Sequence, residues 1–235
     1  MNSWVGTSGF QYPEWKGTFY PEDLPAAKML PYYAEQFCTT EINYTFHRIP
    51  ALKTIENWCK LTPPHFRFSL KAPQKVTHFA KLRNCSDTVD YFYEVVSGLG
   101  ERLGPVLFQL PPQLKKDAQL LTPFTECLPP SMRAAFEFRH SSWFDDEIFE
   151  ILRKRNCALC IADTDKLETP IMATADWGYL RLRREDYQPG DVSRWADTMA
   201  EKKAVWSDAF AYFKHEESGI GPRLAGQLVE ILADK

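Results

Sequence analysis

Short apolar segments recur along the chain and alternate with segments of helical periodicity, and this alternation limits the fold more than any other feature. Pro and Gly residues separate the segments at fairly regular spacing. Strands that alternate with helices form βαβ units and therefore a parallel sheet. The predicted strands are WVGTSG from Trp4, TTEINYTF from Thr39, FRFSLKA from Phe66, PVLFQL from Pro105, RAAFEFR from Arg133, CALCIAD from Cys157, WGYLRLR from Trp177 and AFAYFKH from Ala209.

Eight such strands in 235 residues fit a closed (β/α)8 barrel of the TIM type. The sixth connection, residues 164–176, is too short and irregular for a full helix, so one βα unit is predicted to be degenerate. We predict an α/β fold in which residues 1–235 form a single TIM-barrel domain. An open doubly wound sheet is the structural alternative, but no G-x-G-x-x-G or Walker motif supports a nucleotide-binding form of it. The predicted helices are 30–37, 52–58, 88–99, 120–128, 144–152, 192–200 and 224–231.

Composition and charge exclude several classes of protein. The net charge of −3 gives no overall attraction to nucleic acid or anionic membranes, so neither is an expected partner. No apolar run reaches the roughly 18 residues of a membrane helix, and the first residues do not resemble a signal peptide. The six scattered cysteines are expected to be reduced thiols of a cytoplasmic protein. Cys157 and Cys160 lie three apart on a predicted strand, on opposite faces, where they cannot share a metal.

Polar and charged side chains occupy one face of five predicted strands. Helices cover the outer face of a barrel strand, so the polar face is expected to point into the barrel. Small barrels usually fill this space with Val, Ile and Leu, and burying an unpaired charge costs several kcal/mol. The polar cluster must therefore pair internally or bind a ligand. The inward sets are Glu41, Asn43 and Thr45; Arg67, Ser69 and Lys71; Gln109; Ala135, Glu137 and Arg139; and Tyr179, Arg181 and Arg183.

Two interpretations of this cluster stay open. The deeper members would form a self-contained network of salt bridges, with Arg67 paired to Glu41 or Glu137. The upper members lie at the carboxyl ends of their strands, where TIM-barrel enzymes place catalytic groups. These upper residues are Asn43, Lys71, Gln109, Arg139, Asp163 and Arg183.

The segment 10–26 follows the first strand and is rich in aromatic residues and proline. In a barrel it lies over the carboxyl-terminal mouth, and connections of this length are often functional lids. Tyr12 and Trp15 would then stack on a sugar or a base. The alternative is an aromatic plug that packs on the barrel and contacts no ligand.

Seven motifs spread over nearly the whole chain carry a resemblance to a known family. They are GTSGFQYPEWKGTFYP, EINYTFHRIP, FRFSLKA, GPVLFQLPPQL, FEFRHSSWF, the strand that ends at Asp163, and GYLRLR. Together they resemble the YecE-like family (domain of unknown function 72). The resemblance implies a TIM-type barrel with a site at the carboxyl-terminal mouth, and it implies no particular activity. Arg183 stands where many relatives have histidine, and the eighth strand ends in Phe213-Lys214-His215 where many relatives have Phe-x-Asn.

The residue types at the predicted mouth indicate acid–base chemistry on a small anionic substrate. Lys71, Arg139 and Arg183 would bind a phosphate or carboxylate, and Glu137 or Asp163 would act as general acid or base. No organic cofactor is predicted, which favours hydrolase or lyase chemistry. The predicted catalytic residues are Glu137, Asp163 and Lys71, and the predicted substrate-binding residues are Tyr12, Trp15, Asn43, Gln109, Arg139, Arg181 and Arg183.

Two alternative functions stay open at this point. A divalent metal could serve a phosphodiesterase or a sugar-isomerase-like enzyme through Glu41, Glu137, Asp163 and His215, although the neighbouring arginines and lysines would repel it. We assign no metal ligand on this basis. The other alternative is a barrel that binds a nucleotide or sugar without turning it over. The oligomeric state is not predicted.

Overall fold

The computed structural model describes residues 1–188 and 190–235, and its strands form a closed barrel. All neighbouring strands are parallel, and the eighth pairs back onto the first. This confirms the predicted (β/α)8 TIM-type fold and excludes the open sheet. The strands are β1 Asn2–Ser8, β2 Thr39–Ile42, β3 Arg67–Lys71, β4 Leu103–Gln109, β5 Ala134–Glu137, β6 Ala158–Asp163, β7 Trp177–Leu182 and β8 Asp208–Phe213.

The seven predicted helices are confirmed, and a short helix after β2 is added to them. In the described part of the chain the connection from β6 to β7 contains no helix, as predicted. None of the described helices has the length and apolar character needed to cross a bilayer. The helices are α1 Met29–Gln36, α2 Tyr44–His47, α3 Leu52–Leu61, α4 Ser86–Ser97, α5 Ala118–Cys127, α6 Asp146–Lys154, α7 Pro189–Glu201 and α8 Ile220–Ala233.

The second strand is shorter than predicted, because the chain turns into α2 after Ile42. Asn43 has helical backbone angles (φ −86°, ψ −20°). The hydroxyl of Thr45 donates to the carbonyl of Ile42 at 3.2 Å and to that of Lys71 at 2.6 Å. Such local side-chain bonds favour a turn over a strand. They also tie α2 to the carboxyl end of β3 and place Phe46 beside it.

The interior of the barrel is polar at its centre, in contrast to a barrel filled with aliphatic side chains. The buried hydroxyl of Tyr212 lies 2.8 Å from the hydroxyl of Thr39 and 2.6 Å from that of Ser69. Small residues on the facing strands, including Ala135 and Ala158, leave room for these large side chains. A layer of charged residues lies above, at the carboxyl end of the barrel.

Arg67 lies at the opposite, amino-terminal end of the barrel. Its guanidinium stacks over the ring of Trp4, 5.0 Å from the centroid, and donates to the carbonyl of His65 at 3.1 Å. The prediction that Arg67 pairs with Glu41 or Glu137 is therefore wrong. Arg67 is the first residue of β3, whereas Glu41 is level with Ser69, two residues further along that strand.

The six cysteines are all free thiols. Cys157 packs in the apolar layer outside the barrel, and Cys160 lies inside it with Tyr179. The two therefore occupy opposite faces, as predicted, and do not form a shared site.

Candidate functional site

Glu137, the last residue of β5, is the centre of the charged layer. Its Oε2 accepts from Gln109 Nε2 at 2.8 Å and from Arg181 Nη1 at 2.6 Å. Its Oε1 accepts from Arg139 Nε at 3.1 Å and from Arg183 Nη1 at 3.2 Å. Gln109 and Glu137 are register partners on β4 and β5, which explains their contact. A single buried carboxylate thus orients three guanidinium groups.

Glu41 forms the other half of the layer, and Arg181 joins the two halves. Arg181 Nη2 donates to Glu41 Oε1 at 2.8 Å, and the Tyr179 hydroxyl donates to Oε2 at 2.7 Å. The hydroxyl of Ser8 also donates to Glu41 and accepts from Asn43 Nδ2 at 2.8 Å. Ser8 and Glu41 are register partners on β1 and β2. Five strands and the start of α2 therefore contribute to one continuous network.

Both carboxylates are held in the ionised form. Burial by itself would raise the pKa of Glu137, but Arg181 and then Arg139 and Arg183 bring that pKa well below its ordinary value. The same balance, with Arg181 as the leading cation, lowers the pKa of Glu41. A carboxylate this acidic does not take up a proton near neutral pH. The structure therefore argues against the acid–base role predicted for Glu137 and makes it a positioning residue.

Positive charge exceeds negative charge at the top of the network. Two carboxylates face the guanidinium groups of Arg139, Arg181 and Arg183. Arg181 is buried, whereas the side chains of Arg139 and Arg183 are 33% and 21% exposed. Among the described residues, Arg139 and Arg183 each donate a single side-chain hydrogen bond, although a guanidinium carries five N–H donors. Their remaining N–H donors have no side-chain partner among the described residues.

Lys71 adds a further cation at the end of β3. Its Nζ lies over the ring of Phe46, 4.0 Å from the centroid. The imidazole of His78 contacts the same ring, with centroids 4.9 Å apart. His78 lies on a single π-helical turn, Lys75–Phe79, a feature that is frequent at functional sites. No carboxylate pairs with Lys71 in the part of the chain that the structure describes.

The environment of Lys71 disfavours its protonated form. Burial, followed by the charge of Arg181, lowers the pKa of this lysine to about 8, although Glu41 and Glu137 act in the opposite direction. Burial and the nearby Lys71 also lower the pKa of His78. The catalytic role of Lys71 stays a prediction.

The residues after β8 form the other side of the mouth. A cavity of about 460 Å³ is lined by Arg183, Lys214 and His215 together with three glutamates, Glu185, Glu216 and Glu217. Lys214 Nζ lies 3.7 Å from Glu216 Oε1, so this lysine has an anionic partner. Arg183 contacts both Glu137 and this cavity, which connects the cavity to the charged layer.

Asp163 lies apart from the charged layer. On β6 the side chains of Ala158 and Cys160 point into the barrel. Side chains alternate along a strand, so that of Asp163 points outward. Its Oδ2 accepts from the Tyr187 hydroxyl at 2.6 Å and from Trp195 Nε1 on α7 at 2.9 Å. The structure therefore does not place Asp163 with the other predicted catalytic residues.

The segment 10–26 packs as an aromatic plug. Trp15 is fully buried and contacts the rings of Tyr12, Phe19 and Tyr20. The prediction that Trp15 stacks on a ligand is wrong, because its ring is inaccessible. Tyr12 is half-buried at the edge of the site, and its hydroxyl donates to the carbonyl of Ser8 at 2.8 Å. Gly9 has a φ of +98°, and a Cβ there would meet the Tyr12 hydroxyl at 2.5 Å, so this turn requires glycine.

The four residues considered as metal ligands do not converge. The carboxylates of Glu41 and Glu137 form ion pairs with arginine, and the carboxylate of Asp163 faces α7. His215 Nε2 lies 2.6 Å from the carbonyl of Arg184. Within residues 1–188 and 190–235, no group of three or more His, Cys, Asp or Glu side chains is placed to hold a metal ion.

Most of the predicted binding residues do come together. The structure joins Asn43, Gln109, Glu137, Arg139, Arg181 and Arg183 in one hydrogen-bonded network, with Lys71 at its edge. Sequence reasoning missed Ser8, Phe46 and His78. Ser8 could have been identified, because the alternation of side chains along β1 places it on the inner face. The π-helical turn that brings His78 to Phe46 leaves no pattern in the sequence.

The fold and the site define a class: a TIM-type barrel with a cationic mouth above a buried network of arginine and glutamate. Comparison with known proteins bears on the barrel fold and on the family of the chain. The family described as "Protein of unknown function DUF72" matches residues 4–235, and the chain belongs to this family. This confirms the resemblance seen in the sequence.

Two curated relatives are similar over part of their length. UPF0759 protein YecE of Escherichia coli (strain K12) is 29% identical over 142 residues, which are 60% of this chain and 50% of that protein. UPF0759 protein YunF of Bacillus subtilis (strain 168) is 27% identical over 141 residues, 57% of this chain and 50% of that protein. In these alignments the chain spans about half the length of the curated relatives.

Two solved structures of the same family share the fold. A DUF72 family protein from Thermotoga maritima MSB8 superposes with a TM-score of 0.89 at 26% identity, covering 99% of this chain and 100% of that one. A DUF72 family protein from Enterococcus faecalis V583 has a TM-score of 0.82 at 15% identity, covering 98% and 95%. The second likeness shows the fold alone.

Proposed function

We propose that the protein is an enzyme, of the hydrolase or lyase type, that binds a small substrate bearing a phosphate or carboxylate at the carboxyl-terminal mouth of the barrel. One observation carries the proposal. Three guanidinium groups share the Glu137 carboxylate, while the nearby Lys71 has no acidic partner among the described residues. An anion would compensate the excess positive charge.

The geometry of the arginines suits an oxyanion. Glu137 accepts a hydrogen bond from Nε of Arg139 and another from Nη1 of Arg183. These bonds orient the two guanidinium groups and leave their other N–H groups for a ligand. A guanidinium binds phosphate or carboxylate through two parallel hydrogen bonds, and these bonds are stronger than neutral ones. Because the two side chains are already oriented, little conformational entropy is lost on binding.

Lys71 is the group proposed to transfer protons or attack the substrate. The carboxylates of Glu41 and Glu137 are saturated with donors, and Asp163 points away. Lys71 alone among the predicted catalytic residues combines partial exposure with a pKa near neutrality, about 8. A substrate anion would partly neutralise the mouth and raise this pKa again, which couples binding to protonation. The six free thiols fit a reducing compartment, and the cytoplasm is the proposed location.

Inorganic phosphate tests the site directly. We expect phosphate at tenfold excess over its dissociation constant to raise the melting temperature by about 3–5 °C. Arg139→Ala is expected to remove this rise while lowering the free energy of unfolding by about 1–2 kcal/mol, because the buried Glu137 loses one of its four donors.

Arg133→Ala is the matched control. Arg133 also lies at a strand end and pairs with Asp208, 2.8 Å away, but at the amino-terminal end of the barrel. This variant has the same loss of charge and should keep the phosphate effect. An Arg139→Ala protein that phosphate stabilises as well as wild type would show that the anion binds elsewhere.

A further inference from the structure

Lys71 differs from the lysines around it in its partners. Lys214, across the mouth, lies near Glu216, and the distant Lys116 pairs with Asp145 and Glu147 at 2.7 Å and 2.8 Å. Lys71 contacts the face of Phe46 instead, and no carboxylate pairs with it among the described residues. An amine in such surroundings is a nucleophile when it is neutral.

The position of the amine relative to the anion site suggests what it attacks. Lys71 pairs in register with Leu107 of β4, and Gln109, two residues further along that strand, donates to Glu137, the carboxylate that also holds Arg139. An anion held by Arg139 therefore brings the rest of a small molecule next to Nζ. A carbonyl carbon one to three bonds from the anionic group would be within reach of the amine.

We propose that Lys71 forms an imine with the carbonyl carbon of a substrate that also carries a phosphate or carboxylate, such as a 2-oxo acid or a phosphorylated aldehyde. This inference rests on the proposed anion site and narrows the function to lyase-type chemistry at a carbonyl. Imine formation converts the carbonyl into an electron sink, so that a neighbouring carbon–carbon or carbon–hydrogen bond can break.

The step balances without a further reactant. The ammonium group of Lys71 first gives up a proton to water at the open mouth. The Nζ lone pair then attacks the carbonyl carbon, and the C=O π electrons move to the oxygen, which takes up a proton. The carbinolamine loses water to give the imine, and hydrolysis by the reverse route releases the product and regenerates the amine.

The reactivity of the amine is consistent with this step. Burial and Arg181 lower the pKa of Lys71 to about 8, with Arg139 acting in the same direction and the two glutamates opposing it. At pH 7 about a tenth of the lysine is therefore neutral, compared with well under one per cent for a lysine of ordinary pKa. The reaction is expected to become faster as the pH rises through 8.

Borohydride trapping tests the inference. The wild-type protein is incubated with glyceraldehyde 3-phosphate or with pyruvate, sodium borohydride is added, and the adduct is located by peptide mass spectrometry. Borohydride delivers hydride to the imine carbon and leaves a stable secondary amine. We expect one adduct per chain on Lys71, formed at least about tenfold faster than on any other lysine.

Two controls separate the imine from the anion site. Unphosphorylated glyceraldehyde has the same carbonyl and should label Lys71 about tenfold less, because it lacks the group that the arginines bind. Lys71→Arg keeps the positive charge and should retain the melting shift with inorganic phosphate while losing the adduct. Lys75→Arg, an exposed lysine on the π-helical turn, should be labelled at Lys71 like wild type.

The outcomes distinguish the two proposals. A phosphate shift without any borohydride-dependent adduct on Lys71 overturns the imine and leaves the anion site standing. Labelling spread evenly over surface lysines also overturns it. Absence of the phosphate shift, with Lys71 labelled equally by glyceraldehyde and its phosphate, removes the anion site and, with it, the substrate class proposed for the imine.

Discussion

Arg181→Met is expected to destabilise the protein by about 3–5 kcal/mol. The Arg181 side chain is 2% exposed and bridges Glu41 and Glu137, at 2.8 Å and 2.6 Å. Met fills a similar length but leaves Glu41 without a cation in the barrel interior. Urea-induced unfolding of the wild type and the variant measures the difference.

Two further variants define the cause. Arg67→Met removes an inward arginine at the partly exposed amino-terminal end and should cost no more than about 1 kcal/mol. Adding Glu41→Gln to Arg181→Met should restore at least about 1 kcal/mol, since the uncompensated charge is then absent. A change of less than about 1 kcal/mol for Arg181→Met would show that the buried ion pairs are not what stabilises this layer.

Glu137→Gln is expected to weaken the fold and strengthen phosphate binding at the same time. The amide cannot accept from all four of Gln109, Arg139, Arg181 and Arg183, so we expect a loss of about 3 kcal/mol or more. The three guanidinium groups then lack their shared anion, and a phosphate near them gains about tenfold in affinity. Calorimetric titration in the cold, with the variant still folded, measures the affinity.

Asp163→Asn is the matched control for this prediction. It also neutralises a carboxylate at the carboxyl edge of the barrel, but this carboxylate faces Tyr187 and Trp195. Its phosphate affinity should stay within about twofold of wild type. Weaker phosphate binding by the folded Glu137→Gln protein would mean that Glu137 serves the anion site only by positioning the arginines.

The fold could be predicted because its signals are local and repeated. The strands and seven helices are marked by periodicity, with Pro or Gly separating many of them, and the closed barrel is the architecture that fits eight strands in this length. Inward parity also follows from sequence alone. It placed Glu41, Lys71, Gln109, Glu137 and Arg181 on the inner face, and the register pairs Glu41 with Ser8 and Gln109 with Glu137.

The errors arose where a local contact or a register overrides the pattern. The chain leaves β2 at Asn43, which has helical backbone angles, and Thr45 bonds back to the carbonyl of Ile42; no periodicity reveals either feature. Asp163 was assigned to the site because it lies at a strand end, although the alternation along β6 puts it with the outward-facing residues. Arg67 shares a face with Lys71 but lies four residues earlier, at the other end of the barrel.

The chemistry of individual groups could not be predicted from residue types. Glu137 and Lys71 both have ionisable side chains at strand ends, yet one accepts four donors and the other contacts an aromatic ring. Their pKa values depend on burial first and then on the charge of Arg181, which is far from both in sequence. The assignment of acid–base roles therefore needed the three-dimensional arrangement.

A crystal soaked in tungstate gives the most direct test of the cationic mouth. Tungstate is a tetrahedral dianion, as phosphate can be, and its anomalous scattering locates it without ambiguity. We expect one strong peak within hydrogen-bond distance of Arg139 and Arg183 and close to Lys71 Nζ. Two results would refute an anion site built on the arginines that bind Glu137. One is a mouth that holds no tungstate at millimolar concentration, and the other is a set of peaks confined to the amino-terminal end near Arg67 and Arg133.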